Sequence, residues 1–304
     1  AIATDRSLDM IRAVWPGPIR PRDAALGADW RRLPLADASI DVALADGALT
    51  NLPFPASPAN LPFTANLPFP ASAASLPMIA LLHGYLLEGS GSNLWTRSMV
   101  ASLCRVGETV HLVCQENHPE IYEFVAEARA YHPDGRVETL VSREVPTPGP
   151  CILHKPVLGD TLPVYVRDRY EEFVRVVPMI ELPDQEIDAY VRRNIEVVRR
   201  VVAENEIHAL HANHAVLMPQ VAQAVAGEAG LPFSIMPHGS AIEYAVKKDE
   251  RFWRRAARSF GAADRIFTIG PEIRARVRDV FAGLEDLRLE VTLENPSRAR
   301  HRRF

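Results

Sequence analysis

The chain has 304 residues, 47% of them hydrophobic and 24% charged, with a formal net charge of -4 at pH 7. That composition suits a folded protein with a sizeable apolar core, and the mildly negative balance excludes the global basic footprint of a non-specific nucleic-acid binder. No apolar run approaches the roughly 20 residues of a membrane helix, so no transmembrane segment is expected, while peripheral membrane contact stays open.

Residues 1–50 alternate short helical and strand-like patterns, and ASIDVALADGALTNL reads as an apolar strand leaving through Asp46 and Gly47. Residues 51–77 stutter NLPF at Asn51, Asn60 and Asn66. Proline removes φ freedom and a ladder N–H, so this stretch is expected to be an extended linker. Its period is too short for any packed repeat, so no solenoid is expected there.

From Met78 strands and helices take turns. MIALLHG, ETVHLVCQE, CILHKP, IHALHANH, LPFSIMPHG and ADRIFTIG read as buried strands, and NLWTRSMVASLCRVG as a helix closing at Gly107. In EIDAYVRRNIEVVRRVVAEN, residues Ile187, Val191, Ile195, Val198 and Val202 make one helical stripe. This order predicts an α/β fold with a doubly wound parallel sheet over 78–293, Rossmann-like, behind a small incomplete α/β fragment. In such sheets ligands sit beyond the carboxyl ends of the strands.

The loop LLHGYLLEGSGSN places Gly89 and Gly91 between a strand and a helix whose expected N-cap is Ser92 or Asn93. Bare N–H groups there suit a phosphate as well as an ordinary strand-to-helix turn. The third glycine of GxGxxG is missing and no P-loop occurs. LLHGY is also similar to the oxyanion-hole strand of α/β-hydrolases, but no GxSxG elbow follows. In HALHANH, strand parity sets His208 and His214 on one face and His211 on the other, so no metal site is expected. Cys104, Cys114 and Cys151 sit among apolar neighbours without pairing motifs, as buried thiols of a reducing compartment. With no signal-peptide layout in AIATDRSLDM, a cytoplasmic location is expected.

Taken in order, LLHGYLLEGSGSN, HLVCQE, IHALHANH, MPHGSAIEYAVKKDERF and ADRIFTIGPEIRARV resemble the N-terminal half of a family 4 glycosyltransferase, over about residues 78–290. The resemblance implies two Rossmann-like domains facing a cleft, the N-terminal one receiving a sugar or glycoconjugate acceptor. It implies that Gly89, Gly91 and Ser92 approach the diphosphate of a nucleotide-sugar donor, and that His238 acts as the catalytic group facing sugar and phosphate. His83, Tyr85, His211, His214, Gly239 and Ser240 would line the substrate side. No tightly bound cofactor is implied.

Members of that family continue into a donor-binding domain with a basic pair and a Glu-x7-Glu. Glu196 and Glu204 match the spacing only by coincidence, on the striped helix. The chain instead ends in a basic run, 294–304, expected to be disordered, so the transferase is expected to be truncated and inactive alone. Residues 1–50 resemble the middle of a class I S-adenosylmethionine-dependent methyltransferase. Asp5 would bind ribose hydroxyls there, and Asp29 and Trp30 would sit near adenine, without the glycine-rich turn that should precede Asp5. The alternatives to a glycosyltransferase half are therefore a methyltransferase fragment or a non-catalytic binding module.

Overall fold

The computed structural model describes residues 2–5, 24–27, 78–159, 161–166, 170, 172–284 and 287–291. The expected linker at 51–77, the strand around Asp46 and the basic tail lie outside these residues, as do Asp29 and Trp30. Two compact units divide the chain, 1–66 with 89–95, and 67–88 with 96–304. In the first unit, β1 (Ile2–Asp5) pairs in parallel with β2 (Ala24–Gly27), and Asp5 is the last residue of its strand.

The second unit is built on a nine-stranded sheet. Its strands are β3 (Met78–Leu82), β4 (Val110–Val113), β5 (Val125–Tyr131), β6 (Val137–Ser142), β7 (Cys151–Pro156), β10 (Ile207–Asn213), β11 (Phe233–Met236), β12 (Arg265–Thr268) and β13 (Leu289–Val291). Their spatial order is β13-β12-β11-β10-β3-β4-β7-β5-β6. Every pair is parallel except β5 with β6, whose short hairpin puts an antiparallel strand on one edge. A separate two-stranded parallel sheet joins β8 (Thr161–Val164) to β9 (Arg175–Pro178).

Helix α1 (Gly91–Arg105) connects β3 to β4, α2 (Asp184–Glu204) precedes β10, and α3 (Met218–Ala229) connects β10 to β11. Between β11 and β12 run a short helical segment, Gly239–Ala241, a π turn, Ile242–Val246, and α4 (Glu250–Ala262); α5 (Pro271–Val280) leads to β13. Side chains alternate across the sheet, and each face is covered. Leu81, Leu112 and Leu153 pack with Val100 and Cys104 of α1, whereas Ala80, Leu82, Val113 and Ala212 pack with Ile187 of α2 and Val221 of α3. The fold is thus the expected doubly wound α/β sheet, and the three cysteines are free and buried in it. Among the described residues, no helix is long and apolar enough to cross a membrane.

Helix ends follow local chemistry. The N-cap of α1 is Ser90 rather than Ser92 or Asn93: its Oγ accepts from Asn93 N at 3.4 Å and its carbonyl from Leu94 N at 3.0 Å. At the other end Glu108 N donates to Leu103 O and Gly107 N to Cys104 O, with Gly107 at φ +96°. That paired closure needs the left-handed residue glycine provides. In α2 the buried stripe is wider than expected. Ile187, Val191 and Val198 are buried, but Tyr190, Asn194, Val197 and Val201 join them while Ile195 and Val202 are half-exposed. Glu196 and Glu204 pair on the surface of the same helix with Arg193 and Arg200, a solvated-face role.

Candidate functional site

Counting from the centre, β3 leads through α1 to β4 on one side, and the later β10 returns to the other side of β3. The strand order therefore reverses between β3 and β10, and in sheets of this kind ligands bind beyond the carboxyl ends of the strands at such a point. The residues at these strand ends are His83 to Tyr85 after β3, Asn213 as the last residue of β10 with His214 next to it, and His238 after β11.

The chain leaves β3 through His83, whose N–H donates to Val113 O at 2.9 Å, and turns at Gly84 with φ +76°. A side chain at Gly84 would meet Tyr190 Oη at 2.9 Å and Met218 Cγ at 3.0 Å, so this turn requires glycine twice over. Tyr190 donates its hydroxyl proton to Gly84 O at 3.2 Å, and Gln115 N donates to Tyr85 O at 2.8 Å. Glu116, buried after β4, holds the next part of the loop. Its carboxylate accepts from Leu87 N, Asn117 N, His118 N and the Tyr122 hydroxyl at 2.9–3.0 Å.

Beyond β10 the backbone bends at His214 (φ 72°) and again at Leu217 (φ 66°). Both are side-chain-bearing residues at positive φ, Leu217 as the centre of a γ-turn (ψ −67°) in which Met218 N donates to Val216 O at 3.0 Å, and such backbone costs about 1–3 kcal/mol per residue and persists only where surroundings impose it. His214 N donates to Met236 O at 2.9 Å, tying the bend to β11. The strand parity expected for HALHANH therefore stops at Asn213. His208 is exposed and its Nδ1 accepts from Met78 N, while His214 turns out of the strand.

The His214 ring is surrounded by aromatic groups. It stacks on His83 at 5.2 Å and 23°, and meets His238, Tyr85 and Tyr165 at 5.1, 5.1 and 5.0 Å between centroids. His83, His214 and His238 are each at most 1% exposed. No protein atom hydrogen-bonds either nitrogen of His214, either nitrogen of His238, or Nε2 of His211, although all five are buried. His211 uses its other nitrogen on Ser234 Oγ at 2.8 Å. Leaving a buried polar group unmet costs about 1–3 kcal/mol each, so these nitrogens call for partners that the protein's own groups do not supply.

Burial lowers His238 to about 4. His211 is also lowered to about 4, first by burial and then by the nearby His238. His214 lies well below its ordinary range through burial, then His238, then His83. All three rings are neutral at pH 7, and each can offer one donor and one acceptor. Among the described residues, no group of three or more His, Cys, Asp or Glu is arranged to hold a metal ion.

The structure thus brings together His83, Tyr85, His214 and His238, with His211 close enough to His238 to depress its own protonation. Gly239 and Ser240 open the helical segment after His238, and α5 packs over Gly239 through Ile273 and Arg276. Gly89, at φ +96°, Gly91 and Ser92 belong to the first compact unit. There Gly91 begins α1 and Ser92 Oγ lies 3.0 Å from Ser90 Oγ. Sequence reasoning missed Tyr165, Thr96 and Asn213. Only Asn213 carried a signal, its two-residue spacing from His211.

No protein-family model matches the chain, and no curated protein matches it. Solved structures overlap it loosely. A UDP-N-acetylglucosamine 2-epimerase from Rickettsia bellii shares 12% identity at a TM-score of 0.34, over 73% of this chain and 46% of its own. LpCGTa in complex with UDP shares 11% at 0.42, over 72% and 53%. The trehalose 6-phosphate synthase from Burkholderia multivorans shares 14% at 0.34, over 67% and 42%. The chain spans about half the length of these three proteins. Parallel α/β sheets of unrelated activity overlay to this degree, and such folds host many chemistries.

Proposed function

We propose that residues 78–293 are the N-terminal, acceptor-receiving half of a retaining, nucleotide-sugar-dependent glycosyltransferase of the family 4 type. The observation that carries this reading is the set of five buried, unpartnered imidazole nitrogens on His211, His214 and His238, beside the point where strand order reverses. Neutral rings with one donor and one acceptor each match sugar hydroxyls, and a ring N–H matches a phosphate oxygen. In this reading His238 faces the transferred sugar. His83, Tyr85, His211, His214, Gly239 and Ser240 line the acceptor side, and Gly89, Gly91 and Ser92 meet the donor diphosphate. The donor is a co-substrate, not a resident cofactor.

Departure of a nucleoside diphosphate needs concentrated positive charge, and three neutral imidazoles do not supply it. This half is therefore inactive alone. The test is to add nucleotide sugars and a panel of sugar and glycoconjugate acceptors to the purified chain, following histidine ring resonances and product formation. Saturable shifts at His211, His214 or His238 without transfer are expected. Transfer by the chain alone would overturn the inactivity, and silent histidines across the whole panel would overturn the site.

A further inference from the structure

Both nitrogens of His83 have protein partners, in contrast to the neighbouring histidines. Nε2 faces Leu86 O at 3.1 Å. A carbonyl oxygen only accepts, so Nε2 carries the ring proton. Nδ1 then carries the lone pair and accepts from the Thr96 hydroxyl at 3.1 Å. Thr96 Oγ1 in turn accepts from the Asn213 amide nitrogen at 2.7 Å, and that nitrogen also lies 3.4 Å from His83 Nδ1. Two donor groups face Nδ1, which agrees with the tautomer set at the other end of the ring. Thr96 and Asn213 are both fully buried, so water does not compete for these bonds.

This chain of bonds spans three elements. It starts in the loop after β3, crosses the second turn of α1 and ends on the last residue of β10, one residue before the bend at His214. The locked ring is the one on which His214 stacks, with planes 23° apart. His214 has no hydrogen bond to orient its own ring. Its plane is set only by its packing partners, and among them the imidazole of His83 is the one lying nearly parallel to it.

We propose that His83 is a positioning residue: locked as its Nε2–H tautomer by Leu86, Thr96 and Asn213, it fixes the ring plane of His214 and so the directions in which His214 presents its nitrogens. The proposal rests on His214 belonging to the ligand-facing cluster, and not on the sugar chemistry assigned to that cluster. Thr96 and Asn213 are then part of the same device, acting two bonds away from the ring they orient.

The test uses the full chain without ligand, by nitrogen-15 and proton spectroscopy of the histidine rings. In the unsubstituted protein near neutral pH, His83 is expected to show one protonated nitrogen, Nε2, with no tautomer averaging, and His214 a single set of ring resonances displaced by the stack. Thr96→Val removes the donor to Nδ1 at nearly constant shape. It is expected to mix the His83 tautomers and to move and broaden the His214 ring signals, while Thr96→Ser restores both. A proton on Nδ1 of His83 in the unsubstituted protein overturns the proposal even if Thr96→Val fails to fold. So does a Thr96→Val protein in which His83 mixes tautomers while His214 is unchanged, or a Thr96→Ser protein that does not restore the spectrum. Sugar binding enters none of these readouts, so a failed glycosyltransferase assay leaves this test intact.

Discussion

His238 makes the fold sensitive to acid in a way that one substitution isolates. Its ordinary protonation point is about 6.5 in an unfolded chain, and burial lowers it to about 4 in the folded protein. Between those values the unfolded chain binds a proton that the folded one refuses, so stability falls as pH drops through the window. The contribution is fully present above about pH 7 and levels off below about pH 4. The loss amounts to about 2 kcal/mol at about pH 5 and about 3 kcal/mol once the window is crossed, at about 1.4 kcal/mol per pH unit. His238→Gln keeps a polar side chain of similar reach but cannot take up that proton. Urea unfolding of both proteins at about pH 7 and about pH 5, followed by circular dichroism, reads the difference directly. The variant is expected to lose about 2 kcal/mol less than the unsubstituted protein over that interval. Parallel losses in the two proteins would refute the reasoning, because His238 would then titrate alike folded and unfolded.

Three further outcomes follow from packing. Gly84→Ala places a Cβ near Tyr190 Oη and Met218 Cγ on a left-handed backbone, and is expected to destabilise by about 3 kcal/mol in urea unfolding; a loss under about 1 kcal/mol would show that the loop relocates freely. Glu116→Ala strands four donors that its carboxylate satisfies, for an expected cost of about 3 kcal/mol, and faster amide hydrogen exchange at Leu87, Asn117 and His118 should accompany it. Burial pushes the Cys104 thiol up to about 11 and those of Cys114 and Cys151 well above their ordinary range. All three should stay silent to a chromogenic disulfide reagent at pH 7 until denaturant is added, and rapid native labelling of any of them would contradict their burial.

The parallel core was legible because strands buried on both faces read as short apolar runs between turn signals, and MIALL, VHLV and FSIM are such runs. The β5–β6 hairpin was not, since VAEARAY carries Glu127 and Arg129 in mid-strand and pairs with an edge rather than a second buried neighbour. The short strands β8 and β9 had too few residues to show a period. At the candidate site the histidines could be picked out by type and by their place after strands. Their mutual arrangement could not, because it depends on the left-handed bend at His214. A two-residue period has no means of announcing where it ends. The expected N-cap of α1 missed for a similar local reason: GSGSN offers several capping side chains in a row, and the one that caps, Ser90, is the first.

The central place of β3 has a consequence for how the chain acquires its shape. Its neighbour on one side, β4, follows closely in sequence, but its other neighbour, β10, pairs with it across 130 residues. At a synthesis rate of roughly 5–20 residues per second, one edge of β3 waits on the order of ten seconds for its partner to be made. During that time the middle of the future sheet is an open edge of apolar residues. Such late, long-range pairing slows folding and exposes the nascent chain to association with its copies. Refolding yield at rising protein concentration, rather than stability, is where this topology is expected to limit the protein.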